Sequence, residues 1–465
     1  MPVDFNIELR LSYLKAAMAA QEEVEDQIQI ARQFFDGQHY AETTTRQEQY
    51  LSQTVDSFGN LCQRVVNIPK DRLQVDTILP ADDEAQAYAD IATDWWNANR
   101  LNAKQKDIYQ AALRDSAVAL IVDWDPANKR PTFTPNLIYD GATGLVRFHY
   151  DSNNNLLFAS KRWTVWNQIN ASDNGKRRLT IYRPDLIERY EADSGTAGGW
   201  RFLDPLEIGI ANPQIWTDTG TAGGNALGIP VLPFENPNGS EISPDIVTIQ
   251  EMINHNISTA DITVDFHAWP VIWVAGVDLP VNSSTGNSTM PDFGPGQAIK
   301  LQADGSMGRL EPVDVQRVFE GVWAWVELLA LIKGWPFFMF NRSGDIPSGI
   351  ALQIAEGSLV NQVKDKQAVF GGAWADAFEM ARKLAMLNGE KDLTGELKFG
   401  WASAKTADEQ SQAETMAKKF EAAQYPLITR WRLMGHTQKE IEQFVQDRQQ
   451  EDEFGLVDFT PAVEQ

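Results

Sequence analysis

Apolar residues between positions 7 and 35 recur at helical spacing: Leu9, Leu11, Leu14, Ala17, Val24, Ile28, Ala31, Phe34 and Phe35, with Glu and Gln between them. This period predicts one amphipathic helix, stopped at Gly37. A second helix is predicted over 46–67. A third, over 82–100, opens on acidic residues, as a helix N-terminus prefers. From 117 to about 235 the pattern shortens to β-rich runs such as "AVALIVDWD", "LVRFHYD" and "RRLTIYR". The turn stretches "DSNNN" (151–155) and "DNGK" (173–176) predict hairpins within a mostly antiparallel region.

Beyond the Pro/Gly-studded connector 228–240, Ser243 as cap, Pro244 and Asp245 predict a helix start. Ile246, Ile249, Ile253, Ile257, Ala260 and Val264 form its apolar stripe, to about 266. "WPVIWVAG" (269–276) reads as a strand, and 297–312 as a hairpin turning at Asp304-Gly305. A helix over 313–333 ends at Lys333 and Gly334. A very long helical pattern covers 350–388, with Gly357 and Gly371-Gly372 as places for a bend. Two acidic, Gln-rich helices are predicted within 404–453. The fold class is α+β.

Between the 313–333 helix and the long one lies "GWPFFMFNRSGDIPSG" (334–349), an aromatic knot followed by a polar, glycine-rich tip. An ordinary helix–helix corner needs neither the length nor the glycines.

The chain has 465 residues, 43% of them hydrophobic, enough for two or three packed domains. With 40 basic and 64 acidic residues its formal charge is −24, which disfavours a tight grip on nucleic acid. The single cysteine, Cys62, excludes an internal disulfide framework and fits a reducing compartment as a packed thiol. The start shows no basic stretch followed by an apolar one, so no signal peptide is expected. The most apolar window, 318–340, contains Glu320 and Glu327 and is broken by Pro336, so no membrane span is expected.

Catalytic patterns are absent. There is no phosphate-binding Gly-x-x-x-x-Gly-Lys-Ser/Thr loop and no Gly-x-Ser-x-Gly elbow. His39, His149, His255, His267 and His436 are scattered, without the spacing of a zinc site. Asp123 and Asp125 read as turn residues, and "DFG" (292–294) as a turn. No enzyme, cofactor or metal is expected.

The order of elements and several local stretches resemble the portal proteins of tailed bacteriophages. "ARQFFDGQHY", "IPVLPFENPNGSEISPDIVTIQEMINHNIS", "WPVIWVAG" and "GDIPSGIALQ" carry the resemblance, which covers roughly 7–450 and is strongest over 228–390. It implies a homo-oligomeric ring, typically a dodecamer, at one capsid vertex of the virion and assembled in the host cytoplasm. Double-stranded DNA would pass through the ring without sequence recognition during viral DNA packaging and genome ejection. The implied partners are terminase (the packaging ATPase), head-completion and adaptor proteins, and capsid and scaffolding proteins.

The resemblance also implies the parts. Residues 1–240 would be the wing, 241–266 a stem helix and 267–312 the clip, with Trp269, Ile272 and Trp273. A second stem helix, 313–333, would line the channel with Arg317, Glu320 and Glu327. Residues 334–349 would be the tunnel loop: Trp335, Phe337, Phe338 and Phe340 would anchor it, and Asn341, Arg342, Ser343 and Asp345 would face DNA. The long wing helix would be 350–389, and 390–465 the crown. The acidic balance then repels phosphate and lets DNA slide. The alternative is a phage structural adaptor or scaffold without a DNA conduit.

Overall fold

A computed structural model of the chain describes residues 7–19, 22–39, 59–166, 174–193, 199–205, 211–268, 272–275, 306–309, 315–340, 351, 354–389, 393–405, 427–433 and 438–453. Helices α1 (Ile7–Met18), α2 (Glu22–Phe35) and α3 (Cys62–Asp71) are followed by β1 (Val75–Pro80), α4 (Gln86–Ala98) and α5 (Leu101–Asp115). The strands β2 (Ala117–Asp125), β3 (Arg130–Leu137), β4 (Leu145–Tyr150), β5 (Leu156–Thr164), β6 (Arg177–Tyr182), β7 (Leu186–Ala192), β8 (Arg201–Phe202), β9 (Gln214–Ile215) and β10 (Val231–Glu235) come next. Then follow α6 (Pro244–Ala268), β11 (Ile272–Ala275), β12 (Ser306–Arg309), α7 (Val315–Lys333), α8 (Gly357–Leu387), β13 (Leu397–Trp401), α9 (Leu427–Leu433) and α10 (Gln438–Glu453). The chain is thus mixed helix and sheet, as the α+β reading expects.

The chain divides into two compact units. The first comprises Met1–Gly37, Cys62–Ser243 and Gly334–Gln465. It holds a three-stranded sheet in the order β10-β2-β3, a two-stranded ribbon β1-β13, and a six-stranded sheet running β4-β5-β6-β7-β8, with β9 on β7. All pairings are antiparallel. Helix α8, about 46 Å long at 1.5 Å per residue, packs on the β10-β2-β3 sheet and on β13. The core there is aromatic. Trp374 is fully buried, donates from Nε1 to the Tyr109 hydroxyl at 2.8 Å, and meets Trp96 and Phe234 with ring centroids 4.9 and 5.0 Å away. Each such pair is worth about 0.5–1.5 kcal/mol beyond its burial. On one face of the larger sheet, α1 lays Tyr13, Leu14 and Ala17 on Phe158, Leu179, Ile181 and Tyr190.

Three expectations change. The predicted 7–35 helix is two, because α1 ends at Met18 and α2 begins at Glu22. Of the 46–67 helix, 46–58 lie outside the described residues, and the helix found there, α3, runs on to Asp71 with Pro69 inside it. Gly371-Gly372 do not bend α8, which continues through them. A Cβ on Gly371 would stand 3.3 Å from the Trp401 indole nitrogen, so packing accounts for that glycine. Of the predicted 297–312 hairpin, 297–305 and 310–312 lie outside the described residues; β12, within it, pairs with β11, Ile272 facing Arg309.

The second unit, Gln38–Leu61 with Pro244–Lys333, contains α6 and α7 packed along one another and the β11-β12 ribbon. Ile246, Ile249, Ile253 and Ala260 of α6 are buried, as their spacing predicts. So are three polar residues one turn apart, Gln250, Asn254 and Ser258. Gln250 accepts from the Leu61 N–H at 2.9 Å, donates to the Gly59 carbonyl, and donates to Asn254 Oδ1 at 2.8 Å. Asn254 Nδ2 is 2.8 Å from His39 Nδ1. Burial lowers the His39 pKa, which favours the neutral ring that can accept this bond. The segments at both ends of 38–61 are thereby held to α6.

Candidate functional site

Helix α7 carries the three predicted channel residues, Arg317, Glu320 and Glu327, and all are exposed. They stand three and seven residues apart, on one helical face. The same helix also exposes large apolar side chains, which its sequence does not single out. Leu331 is 76% exposed, and Phe319, Leu328 and Ile332 are also open. Val326, Leu329 and Ala330 are buried. Over 326–332, α7 is therefore apolar on a solvent-facing side as well as on its packed side.

Gly334 follows α7 with φ of +63°, a left-handed conformation that favours glycine. A Cβ there would stand 2.8 Å from Ser358 Oγ. The chain then turns through a short 3-10 helix, Phe337–Phe340. Trp335 and Phe340 are buried, with rings nearly parallel and centroids 6.4 Å apart, and the Trp335 indole N–H donates to Gln362 Oε1 at 3.3 Å. Phe338 and Met339 are half-buried, and Phe337 is exposed. The predicted tip, Asn341, Arg342, Ser343 and Asp345, lies outside the described residues.

Both flanks of that tip are tied to the α3 region. Arg64 Nη2 reaches the Met339 carbonyl at 3.4 Å on the near side. On the far side Arg72 grips the buried carboxylate of Glu356 at 2.9 and 3.5 Å and donates to the Ala404 carbonyl at 2.8 Å. Glu356 immediately precedes α8. The sequence offered no sign of this anchor, because Arg72 and Glu356 belong to distant segments with no shared motif. Of the predicted clip residues, Trp269 lies outside the described residues, while Ile272 and Trp273 lie in β11 opposite Arg309 and Gly308.

Among the described residues no group of three or more His, Cys, Asp or Glu side chains is placed to hold a metal ion. Asp125 caps a turn: it accepts from Asn128 Nδ2 at 2.6 Å and from the Ala127 and Asn128 N–H groups, which lowers its pKa. His149 stacks on Phe158, its Nε2 3.2 Å from Ser160 Oγ. Burial, helped by the Arg147 charge, pushes its pKa down to about 4. Cys62 is a buried free thiol. No helix among the described residues is long and apolar enough to cross a membrane. A cleft of about 480 Å³ beside Tyr88, Asp376, Glu379 and Arg382 contains no nucleophile–base pair.

No family model matches the chain. It is 23% identical over 225 residues to the portal protein of Mycobacterium phage D29, a match covering 46% of this chain and 42% of that relative. It is 23% identical over 392 residues to the portal protein of Mycobacterium phage L5, covering 79% of this chain and 76% of the relative. The resemblance read from the connector, the clip strand and the step into the long helix is borne out at this level: the chain is similar to the portal proteins of two mycobacteriophages.

Proposed function

We propose that this chain is the portal subunit of a tailed bacteriophage: a structural component, not a catalyst, that closes into a ring at one capsid vertex. The observation that carries the reading is the similarity to the phage L5 portal protein along 79% of the chain. In this reading α6 and α7 are the stem helices, and the β11-β12 ribbon belongs to the clip. The first unit, apart from 334–349 and the crown (390–465), is the wing. Arg317, Glu320 and Glu327 face the bore, and the exposed apolar residues of α7 meet a neighbouring subunit. The acidic balance keeps double-stranded DNA from adhering, so the ring is a conduit, and terminase supplies the work as a separate protein. Head-completion proteins dock at the clip, and capsid and scaffolding proteins surround the wing. Negative-stain images of the purified protein test the reading. Rings of about a dozen copies with an axial hole are expected, and monomers or dimers at assembly concentrations contradict it.

The loop tip supplies a second test. Arg342 is the only basic residue between Gly334 and Gly349, and in a ring it recurs once per subunit near the passing phosphates. Each contact would be weak and salt-dependent. Arg342→Glu should preserve the ring and lower the DNA packaged per particle. Equal packaging with intact rings would make the loop a passive lining.

A further inference from the structure

Lys366 of α8, Asn236 just beyond β10, and Glu241 are all buried within the first unit. The Lys366 ammonium lies 2.9 Å from Glu241 Oε1, and Asn236 Nδ2 donates to that same oxygen at 3.1 Å. One carboxylate oxygen thus bridges a lysine nitrogen and an asparagine amide nitrogen. Nδ2 also donates to the Gly239 carbonyl. Asn236 Oδ1, by contrast, is buried and meets no hydrogen-bond donor among the described residues. A buried carbonyl left unmet calls for a reason.

The three groups are held still and kept dry. The Asn236 N–H donates to the Ser116 carbonyl at 2.8 Å and the Glu241 N–H to the Leu113 carbonyl at 2.7 Å, so both ends of 236–241 are fixed where α5 passes into β2. The Ser240 hydroxyl adds a bond to the Arg114 carbonyl at 2.6 Å. Along α8, Val363 and Phe370 flank Lys366 and are fully buried, and the Phe370 ring centroid is 6.2 Å from that of Phe234. A fixed amine beside an amide, with water excluded, gains the rate advantage of an intramolecular reaction. Pro237 also closes the common alternative for an asparagine amide. That alternative is attack by the next backbone N–H, which proline lacks.

We propose that Lys366 and Asn236 join in an intramolecular amide bond, with Glu241 as the proton carrier. Glu241 takes one proton from the ammonium, and the freed amine attacks Asn236 Cγ. Glu241 then hands its proton to Nδ2 and takes one from the attacking nitrogen. The Nζ–Cγ bond forms, the Cγ–Nδ2 bond breaks, and Nδ2 leaves as ammonia. No other reactant is consumed. Two buried charges are replaced by a neutral acid and an amide, which favours the product. The acid can then donate to Oδ1, the acceptor left unmet before the reaction. An ammonium is not a nucleophile, so only the proton-transferred pair reacts. Newly folded subunits therefore hold the ion pair, and the amide accumulates with age. The bond closes 236–366 into a covalent loop, which restricts the unfolded chain as a disulfide would.

Purified full-length protein is aged over several days, folded and in urea, and its intact mass and proteolytic peptides are followed by mass spectrometry. The folded protein should lose one ammonia per chain and yield a branched peptide in which Asn236 is joined to Lys366. The urea sample should yield no such peptide, because the geometry is gone. Glu241→Gln keeps the shape but cannot carry the proton, so its linkage should be slower by about a hundredfold or more, with its circular dichroism spectrum unchanged. If that variant misfolds, the folded and urea samples of wild type still decide. Separate Asn236 and Lys366 peptides from aged, folded wild type would overturn the proposal. So would ammonia loss without the branched peptide, which marks cyclisation at a site such as Asn238-Gly239. Folded Glu241→Gln linking at the wild-type rate would overturn the role given to Glu241.

Discussion

Leu331→Glu should give a folded subunit that no longer closes into a ring. Leu331 is 76% exposed, so the substitution removes almost no packing within the subunit. Its effect on subunit stability should stay within about 0.5 kcal/mol, as for most surface changes. If this face of α7 meets a neighbouring copy, a carboxylate enters an apolar joint without a partner, at a cost of several kcal/mol. That cost recurs at every joint of a closed ring, so assembly should fail outright. Leu331→Met, which keeps shape and apolarity, should assemble normally. Val326→Glu supplies the contrast: Val326 is buried within the subunit, so that variant should fail by unfolding. The thermal midpoint of the dissociated subunit, read beside its sedimentation, separates the two failures. Rings from Leu331→Glu equal to wild type would show that α7 leaves these side chains in water.

The elements with their own periodicity were legible in the sequence, and those that depend on a distant partner were not. The α6 stripe and the hairpin turn at Asp151 are local. Asp151 Oδ1 accepts from the Asn153 and Asn155 N–H groups, both at 2.8 Å, and Asn154 has φ of +63°, as the run "DSNNN" requires. By contrast β1 and β13 pair with one another from distant stretches of the chain. Neither is long or alternating enough to stand out alone. Helix α5 escaped notice for another reason. It is separated from α4 only by Asn99 and Arg100, and Arg100 takes a left-handed φ of 56° without any glycine to mark the break.

The candidate site divides the same way. Its aromatic content was plain, but five apolar side chains in six positions carry no period that says which point inward. Tertiary packing chose Trp335 and Phe340 and left Phe337 out. The buried Gln250, Asn254 and Ser258 were invisible because their value depends on the partners they meet. The exposure of Leu331 was equally invisible, because composition does not say which apolar side chains of a helix are buried.

Lys366→Met should cost about 3 kcal/mol or more of subunit stability, although methionine fits the helix as well as lysine does. Lys366 lies within α8, and its ammonium sits 2.9 Å from Glu241 Oε1, with the two side chains only 3% and 7% exposed. Asn236 Nδ2 donates to the same oxygen at 3.1 Å, and the Glu241 backbone N–H bonds to the Leu113 carbonyl. Glu241 stands three residues before α6 begins, so the pair fixes the long helix to the segment from which α6 starts. A buried ion pair contributes little net stability, because desolvation offsets most of the attraction; removing one member strands the other charge, at about 3–5 kcal/mol. Asn236 relieves part of that, which places the estimate at the lower end. Glu241→Gln should cost less than Lys366→Met, since the amide keeps the shape and can still accept from lysine. Lys366→Met with Glu241→Leu should recover most of the loss, because no charge is then left buried. Urea unfolding of the four proteins closes a double-mutant cycle. A double variant as unstable as Lys366→Met alone would show that the contact matters for its geometry rather than for its charge.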